Sequence, residues 1–451
     1  MELQGKRVLV VGLGKSGLGA VRLLASRGAR VIANDLRSES ELGEAAAQVR
    51  AVGAQLVLGA HDPQLFASVD QIVLSPGVPS MPALVAADAA GVPIASEVEL
   101  ASWFIDATVI GITGTNGKST VTTLVGEMCK RSGRPTFVGG NLGTPFVDVV
   151  STDAAKPGGY VVVELSSYQL ERVQRLHVHV AALLNVTEDH LDRYPTFEAY
   201  AQAKANIFRC QRAGDSAVLL DGDALCAKLA AGAAATLHRY AGKSGAVRVV
   251  DGVITDELTG ALLPVAQLRM TGEHNVGNAC AAALCARLAG VAKEHILAVL
   301  ESFSGLPHRM VHVADLEGVR YYDDSKATNV GATVAALEGL APSVARIVLI
   351  AGGKDKGGDY GPMRDRLRSC ARAVVLIGEA EPIIRKALAG EPYPVVSAES
   401  MPAAVALARK LAEPGDAVLL APACASFDMF RSYAHRGDVF AAAVHEQKAG
   451  G

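Results

Sequence analysis

The chain has no C-x-x-C pair, and its seven cysteines (129, 210, 226, 280, 285, 370 and 424) lie far apart. An odd number cannot all pair, so free thiols in a reducing compartment are predicted, and at 451 residues the chain is no small disulfide-stapled or zinc-folded module. No apolar run reaches about 18 residues without a charge or turn signal, and the start, Met1 to Gly5, lacks a basic region followed by an apolar stretch. Neither a signal peptide nor a spanning helix is expected, which makes the protein cytoplasmic with no membrane insertion. Neither sign of charge dominates: 43 Lys and Arg face 46 Asp and Glu, a net charge of -3. Nucleic acid is therefore not expected as the main partner, although a local basic patch could still bind phosphates. There is no internal repeat, low-complexity tract or heptad run. What is present is the balance of a soluble globular protein, half apolar and one fifth charged over 451 residues. At roughly 150 residues per domain, about three domains should each bury a core.

Short Val/Ile/Leu runs alternate with longer Ala/Leu-rich amphipathic stretches almost from end to end, the pattern of parallel strands and crossover helices. The fold class predicted is α/β. Strands are expected at 7–11, 30–33, 71–74, 108–113, 160–163, 180–184, 346–350, 373–377 and 417–420, as near-continuous apolar runs covered on both faces. A fresh strand-loop-helix unit opens at Thr108, and Ser304 to His308 interrupts a helical pattern that begins at His274. The domains predicted are 1–98, 99–305 and 306–451, Rossmann-like, P-loop ATPase-like and Rossmann-like in turn. Segment 238–272 is richer in Gly, Val and Thr and reads as a small antiparallel insertion in the middle domain.

The first strand leads into Gly12-Leu13-Gly14-Lys15-Ser16-Gly17, with Asp35 ending the next strand. The glycines let backbone approach a pyrophosphate at a helix N-terminus, and the acidic residue can take a ribose hydroxyl. Alone, this points to NAD. Ser75-Pro76-Gly77-Val78-Pro79 offers another turn on the same carboxyl edge, so a different nucleotide diphosphate fits equally.

Val109 to Thr120 reads as strand, glycine loop, Gly-Lys-Ser and helix, the plan of a P-loop, with Ile112 standing where its first glycine belongs. Backbone N–H groups of Gly114, Thr115, Asn116 and Gly117 would cradle phosphates, Lys118 would meet the β/γ charge, and the hydroxyl of Ser119, followed by Thr120, would bind Mg²⁺. Glu164, ending a Val run, supplies an acidic metal partner. The stretch Asn185-Val186-Thr187-Glu188-Asp189-His190-Leu191-Asp192-Arg193-Tyr194 follows another strand, and His190 can present a neutral nitrogen to a second metal, with nearby carboxylates to orient it.

Thr113 to Thr120, Glu164 to Gln169 and Asn185 to Tyr194 together resemble the Mur ligase superfamily, the ATP-dependent amide ligases of peptidoglycan precursor synthesis. The amino-terminal fingerprint, Ser75-Pro76-Gly77 and Ala421 to Phe427 are similar to its D-glutamate-adding branch. The resemblance covers essentially the whole chain. It implies that the first domain takes the UDP moiety of UDP-N-acetylmuramoyl-L-alanine rather than NAD, through Lys15, Ser16, Asp35, Arg37, Ser75 and Gly77. It places Asn141, Ser166, Gln169 and His190 along the muramoyl-alanine arm. Lys204 matches the family's carbamylated lysine, where CO₂ turns an amine into a carboxylate-like ligand for two Mg²⁺ ions. Asn275 and Asn278, at i and i+3 on one helix face, would meet adenine or phosphate. Arg309 would reach the phosphates, Asp324 the ribose, and Lys326 the γ-phosphate or acyl phosphate. Lys356 and Thr328 would hold the α-carboxylate of D-glutamate, and Ser426 and the region of Tyr433 its side-chain carboxylate. Cys424 beside Ser426 has no paired base and is not read as a nucleophile.

The expected reaction is attack of the alanyl carboxylate on ATP to give an acyl phosphate, which the D-glutamate amine then opens. Lys118, His190, Lys204 and Lys326 are the expected catalytic group, and a monomer is expected. Rival readings are a related superfamily ligase with another amino acid or with L-glutamate, a simple NTPase, and an NAD-dependent oxidoreductase, which would leave the P-loop unexplained.

Overall fold

The structure, a computed structural model, describes residues 2–191, 193–270 and 272–449. Asp192 of the acidic loop lies outside the described residues. The apolar runs become strands of three sheets. In the first, β1 (Arg7–Val11), β2 (Arg30–Asp35), β3 (Gln55–Leu58), β4 (Gln71–Leu74) and β5 (Ile94–Ser96) run parallel in the order β3-β2-β1-β4-β5. Val8 to Val11 are completely buried because helices cover both faces. The chain passes from β1 to β2 and β3 on one side and then crosses to β4 and β5 on the other, so a crevice opens beyond the carboxyl ends of β1 and β4.

The second sheet contains β6 (Thr108–Thr113), β7 (Thr136–Gly140), β8 (Tyr160–Glu164), β9 (Val180–Leu183), β10 (Ser216–Leu220), β11 (Thr236–Tyr240), β12 (Val247–Val250), β13 (Val253–Asp256) and β14 (Gly260–Pro264). Their order is β14-β13-β12-β11-β10-β9-β6-β8-β7. The pattern puts β6 between β8 and β9, whose carboxyl ends carry Glu164 and the Asn185 loop. The expected antiparallel insertion is found in β12 to β14, joined to the sheet through a parallel β11–β12 bridge. The helical pattern from His274 resolves into two helices, Glu273–Leu288 and Lys293–Ser302, separated at Gly290, whose φ of +84° closes the first.

The third sheet is β15 (Val311–Leu316), β16 (Val319–Asp323), β17 (Ile347–Gly352), β18 (Ala371–Ile377), β19 (Val395–Ser397) and β20 (Ala417–Leu420), in the order β15-β16-β20-β17-β18-β19. Only the β15–β16 pair is antiparallel. Leu349, Leu376 and Leu419 fill one face and Ile350, Val375 and Val418 the other, all fully buried. Truncating Leu349 to Ala would cost about 2–5 kcal/mol through lost burial and a cavity.

The chain divides into two compact units. One comprises Met1–Val186, Glu198–Pro264 and Ala279–Leu300; the other comprises Thr187–Phe197, Val265–Asn278 and Glu301–Gly451. Within the first unit, the short helix Glu97–Ser102 ties the first sheet to the second through two buried carboxylates. Glu99 Oε2 accepts from the N–H groups of Gln174, Arg175 and Leu176, while Glu97 Oε1 accepts from Val147 N at 2.6 Å. Burial pushes the Glu97 carboxyl up to about 7.

Candidate active site

Beyond β1 and β4 lies a cavity of about 460 Å³, lined by Gly12 to Ser16, Asp35 to Arg37, His61 and Ser75 to Pro79. Lys15, Ser16, Asp35, Arg37, Ser75 and Gly77 all border it. The glycines are required sterically: a Cβ on Gly17 would sit 1.9 Å from Gly12 O, and Gly12 has φ +86°. Helix Lys15–Ser26 starts with no side-chain cap, which leaves its first N–H groups for an anion. Asp35 takes hydrogen bonds from Leu13 N, Arg37 N, Arg37 Nε and Arg37 Nη2 at 2.7–3.0 Å. Its burial would raise the carboxyl pKa, but the Arg37 guanidinium and these N–H donors prevail and hold it at about 2.

The glycine loop between β6 and helix Lys118–Arg131 adopts a left-handed backbone that favours glycine at Gly117 (φ +83°), which is also the start of the helix and gives it no side-chain cap. A Cβ on Gly114 would press on Leu184 and the Asn185 backbone. Asn185 clamps the loop by accepting from Asn116 N at 2.8 Å, donating to Asn116 O at 3.1 Å and accepting Thr115 N on its own carbonyl. Lys118 Nζ donates to Gly114 O and Thr115 O, and Lys204 Nζ also donates to Gly114 O at 2.7 Å, so two ammonium groups converge on one loop carbonyl. Lys204 is 2% exposed and lies 4.7 Å from the Tyr200 ring centroid, and Tyr200 in turn bonds Thr115. Ser119 and Thr120 are buried at the first turn. Glu164 Oε1 accepts from Asn141 Nδ2 at 2.7 Å, whereas its buried Oε2 has no hydrogen-bond partner among the described residues. That unmet oxygen, beside a phosphate loop, suits a cation. Ser166 and Gln169 form a reciprocal capping box on the one-turn helix Ser167–Leu170, a structural employment for two residues expected along the substrate arm.

In the second unit, the carboxyl ends of neighbouring strands β16, β20 and β17 carry 323–329, 421–428 and 352–358. Their loops are stitched together: Lys354 and Ala425 exchange backbone hydrogen bonds, and Ala423 N donates to Ala327 O. Lys356 Nζ pairs with Asp189 at 3.1 Å, and Asn329 Nδ2, next to Thr328, donates to the other Asp189 oxygen. Lys326 Nζ sits 4.0 Å over the Tyr433 ring. Ser426 is buried. Asp324 is buried, which pushes its carboxyl up to about 7 against the charge of nearby Arg309 and the Met310 N–H. Asn278 Nδ2 donates to Asn275 Oδ1, so the two amides share a face. His190 adopts φ +57°, and its Nε2 is 3.7 Å from Asp189 Oδ2. The Cys424 thiol is fully buried and pushed up to about 11 by that burial, in keeping with an inert group.

Four residues escaped sequence reasoning as site elements. Asn185 and Asp189 were inside a quoted motif but without a role of their own. Asn329 would have been legible only as a helix N-cap. Arg436 received no role from the sequence; it is completely buried and donates to Ser325 Oγ, Ser325 O, Cys424 O and Ala425 O.

Comparison with known proteins places this geometry. Residues 6–96 match the Mur ligase MurD-like N-terminal domain, 112–286 the Mur ligase middle domain, and 308–424 the Mur ligase glutamate ligase domain. The chain is 46% identical to the UDP-N-acetylmuramoylalanine--D-glutamate ligase of Geobacter metallireducens, over 99% of this chain and 98% of that one. It is 45% identical to the protein of that name from Myxococcus xanthus, over 98% of each. Among solved structures, MurF from Acinetobacter baumannii shares the fold with a TM-score of 0.62 at 19% identity, covering 98% of this chain and 91% of that one. The chain belongs to the Mur ligase family, within its UDP-N-acetylmuramoylalanine--D-glutamate ligase branch.

Proposed function

We propose that the chain joins the alanyl carboxylate of UDP-N-acetylmuramoyl-L-alanine to the amino group of D-glutamate, releasing ADP and phosphate, in the cytoplasmic assembly of peptidoglycan precursors. The domain bounds that go with this reading are 1–98, 99–305 and 306–451. The observation that carries it is the presence of two separate sites built for nucleotide phosphates, the cavity beyond β1 and the glycine loop after β6, on a chain 46% identical to a ligase of that name. A dehydrogenase or simple NTPase needs only one of them.

In this scheme the first cavity anchors the uridine diphosphate and the β6 loop holds ATP, with Lys118 over its β/γ charge, Asn275 and Asn278 toward the nucleotide, Arg309 on phosphate and Asp324 on ribose. The alanyl carboxylate attacks the γ-phosphorus and ADP departs, leaving an acyl phosphate. The D-glutamate amine then attacks the acyl carbon, and the tetrahedral intermediate expels phosphate. Neutralising and positioning anions supplies most of the rate, so no side chain need be a nucleophile. Lys326 serves the transferred phosphoryl group. Lys356 and Thr328 hold the α-carboxylate, a reading supported by the ion pair that Lys356 makes with the Asp189 carboxylate. Ser426 and Tyr433 take the side-chain carboxylate.

Ser119 and the unmet oxygen of Glu164 fit Mg²⁺, which when bound would screen phosphate charge and polarise phosphorus. His190 is the further ligand candidate for a second ion. The carbamate expected on Lys204 fits less well: a carbonyl oxygen and an aromatic face are partners for an ammonium, and no step is assigned to a carbamate.

The test is phosphate release from ATP with UDP-N-acetylmuramoyl-L-alanine, comparing D-glutamate with L-glutamate and other amino acids. Release only with D-glutamate is expected, with ¹⁸O passing from the alanyl carboxylate into phosphate. Turnover without an amino acid, or phosphate free of that label, would overturn the scheme.

A further inference from the structure

The first cavity holds a side chain that neither the glycine fingerprint nor the ligase chemistry uses. His61 follows β3, at the outer side of β2, and lines the cavity with Asp35 and Leu36. Its partner is Asn34, a fully buried residue of β2 whose Nδ2 donates to Val57 O and Ala60 O, each at 2.8 Å. Two carbonyl acceptors on one side of the amide fix which end is NH₂. The atom 2.5 Å from His61 Nδ1 is therefore Asn34 Oδ1, which can only accept. Nδ1 must carry the hydrogen, and a neutral ring then has a bare lone pair on Nε2. Burial favours that neutral ring by lowering the imidazole pKa, against the nearby charge of Asp35. Nε2 makes no hydrogen bond among the described residues.

The other acceptor at this end is already used, since the carboxylate of Asp35 takes four N–H donors from Leu13 and Arg37. Leu36 is 60% exposed beside it, an apolar face with room for a planar ring. The phosphate end is fixed on the opposite side, at the uncapped helix start after β1. A nucleotide lying along the carboxyl edges from β1 toward β3 brings its base to Leu36 and His61.

We propose that His61 Nε2, its tautomer set by Asn34, accepts the N3–H of uracil and so selects a uridine nucleotide over a cytidine one. This rests on the reading that the cavity binds a uridine diphosphate. Uracil presents a donor at N3, flanked by carbonyls; cytosine presents a lone pair at the same position. Opposed lone pairs in a partly desolvated pocket leave both groups unmet, which rejects the wrong base more strongly than a lost contact would.

The experiment measures UDP and CDP binding by calorimetry to the full-length protein and to His61→Leu, with thermal melts to verify folding. The wild type is expected to prefer UDP by about tenfold or more, the equivalent of one good hydrogen bond to a buried acceptor. In His61→Leu, UDP affinity should fall about tenfold and CDP affinity should hold or rise as the opposed lone pair is removed, so that the ratio collapses. A wild-type ratio in the variant overturns the role of His61 while leaving the uridine site standing. Failure of the wild type to bind UDP at all overturns the site itself. Long-range ¹H–¹⁵N NMR of the wild type reads the tautomer directly: an Nδ1–H ring whose Nε2 signal moves with UDP but not CDP supports the proposal, and an Nε2–H ring refutes it.

Discussion

Replacing Arg436 by Lys keeps the charge and removes the fork. The guanidinium serves four acceptor atoms, Ser325 Oγ at 3.0 Å, Ser325 O at 2.9 Å, Cys424 O at 3.2 Å and Ala425 O at 3.3 Å, from a position with no solvent exposure. An ammonium offers three hydrogens from a single point, so one or two of those acceptors lose their donor. At about 1–3 kcal/mol for each buried group left unmet, the variant should lose about 1–6 kcal/mol. Those acceptors belong to the loops that present Lys326 and Ser426, so part of the loss should surface as weaker amino-acid binding. We expect the D-glutamate KM of Arg436→Lys to rise about tenfold or more, the factor carried by 1.4 kcal/mol. The KM for the uridine substrate should stay within twofold. Steady-state kinetics with varied D-glutamate, beside urea unfolding, reads both effects. An Arg436→Lys enzyme with unchanged D-glutamate KM and unchanged unfolding midpoint would show that the hydrogen-bond fork is dispensable.

Lys118→Ala should abolish phosphate release yet leave calorimetric binding of the uridine substrate near wild type, because the cavity of the first sheet shares no residue with the glycine loop; wild-type turnover would refute the phosphate assignment. Glu164→Gln keeps an acceptor for Asn141 but removes the charge from the unmet oxygen, so the Mg²⁺ concentration for half-maximal turnover should rise about tenfold, and an unshifted Mg²⁺ titration would exclude Glu164 as a ligand. Glu97 has a folded pKa raised to about 7, so the folded chain binds the extra proton: its contribution to stability is fully present below the unfolded value near 4.5 and is lost as pH rises through 7, by on the order of 3 kcal/mol. Glu97→Gln does not titrate and keeps an oxygen for Val147 N. The gap between variant and wild-type unfolding midpoints should therefore differ between pH 5 and pH 8, and an equal gap at both would contradict the assignment.

What could be read from the linear chain is what local chemistry encodes. The β6 loop is legible because Gly117, Lys118 and Ser119 do their work within one turn of backbone, and Asp35 because it ends a strand at the interval a doubly wound unit dictates. Ser166 and Gln169 carried a legible capping box, S-x-x-Q, although resemblance drew attention to a substrate role instead. By contrast, Lys356 meets Asp189 across 167 positions and Arg436 meets Ser325 across 111. Nothing in either neighbourhood announces the partner, since a lone Asp or Arg on a helix or loop is usually solvated. Such pairs exist only once the third sheet has brought β16, β20 and β17 side by side. His61 was not legible at all: the strand before it, Gln55–Leu58, was not among those predicted, and its tautomer depends on an amide orientation that requires the fold.

The three sheets answer the problem of binding anions in two physically different ways, and the reason lies in where their helices begin. After β1 and β6 the helices start at Lys15 and Lys118, four and five residues beyond the strand ends, so uncapped N–H groups face the crevice and backbone supplies much of the positive field. After β16, β17 and β20 the helices start only at Val330, Gly361 and Tyr433, seven, nine and thirteen residues past the strand ends. Backbone dipoles are less available there, because the Asn329 side chain caps the helix at Val330 by accepting from Ala332 N and the other two helices begin farther off. In the proposed scheme the charge at that edge comes from side chains, Lys326 and Lys356, on loops that the buried Arg436 ties together. A phosphate site made largely of amide groups tolerates side-chain substitution except at its glycines and its lysine. A carboxylate site made of long cationic side chains is open to single substitutions, and is equally free to be re-aimed at a different amino acid by moving one of them.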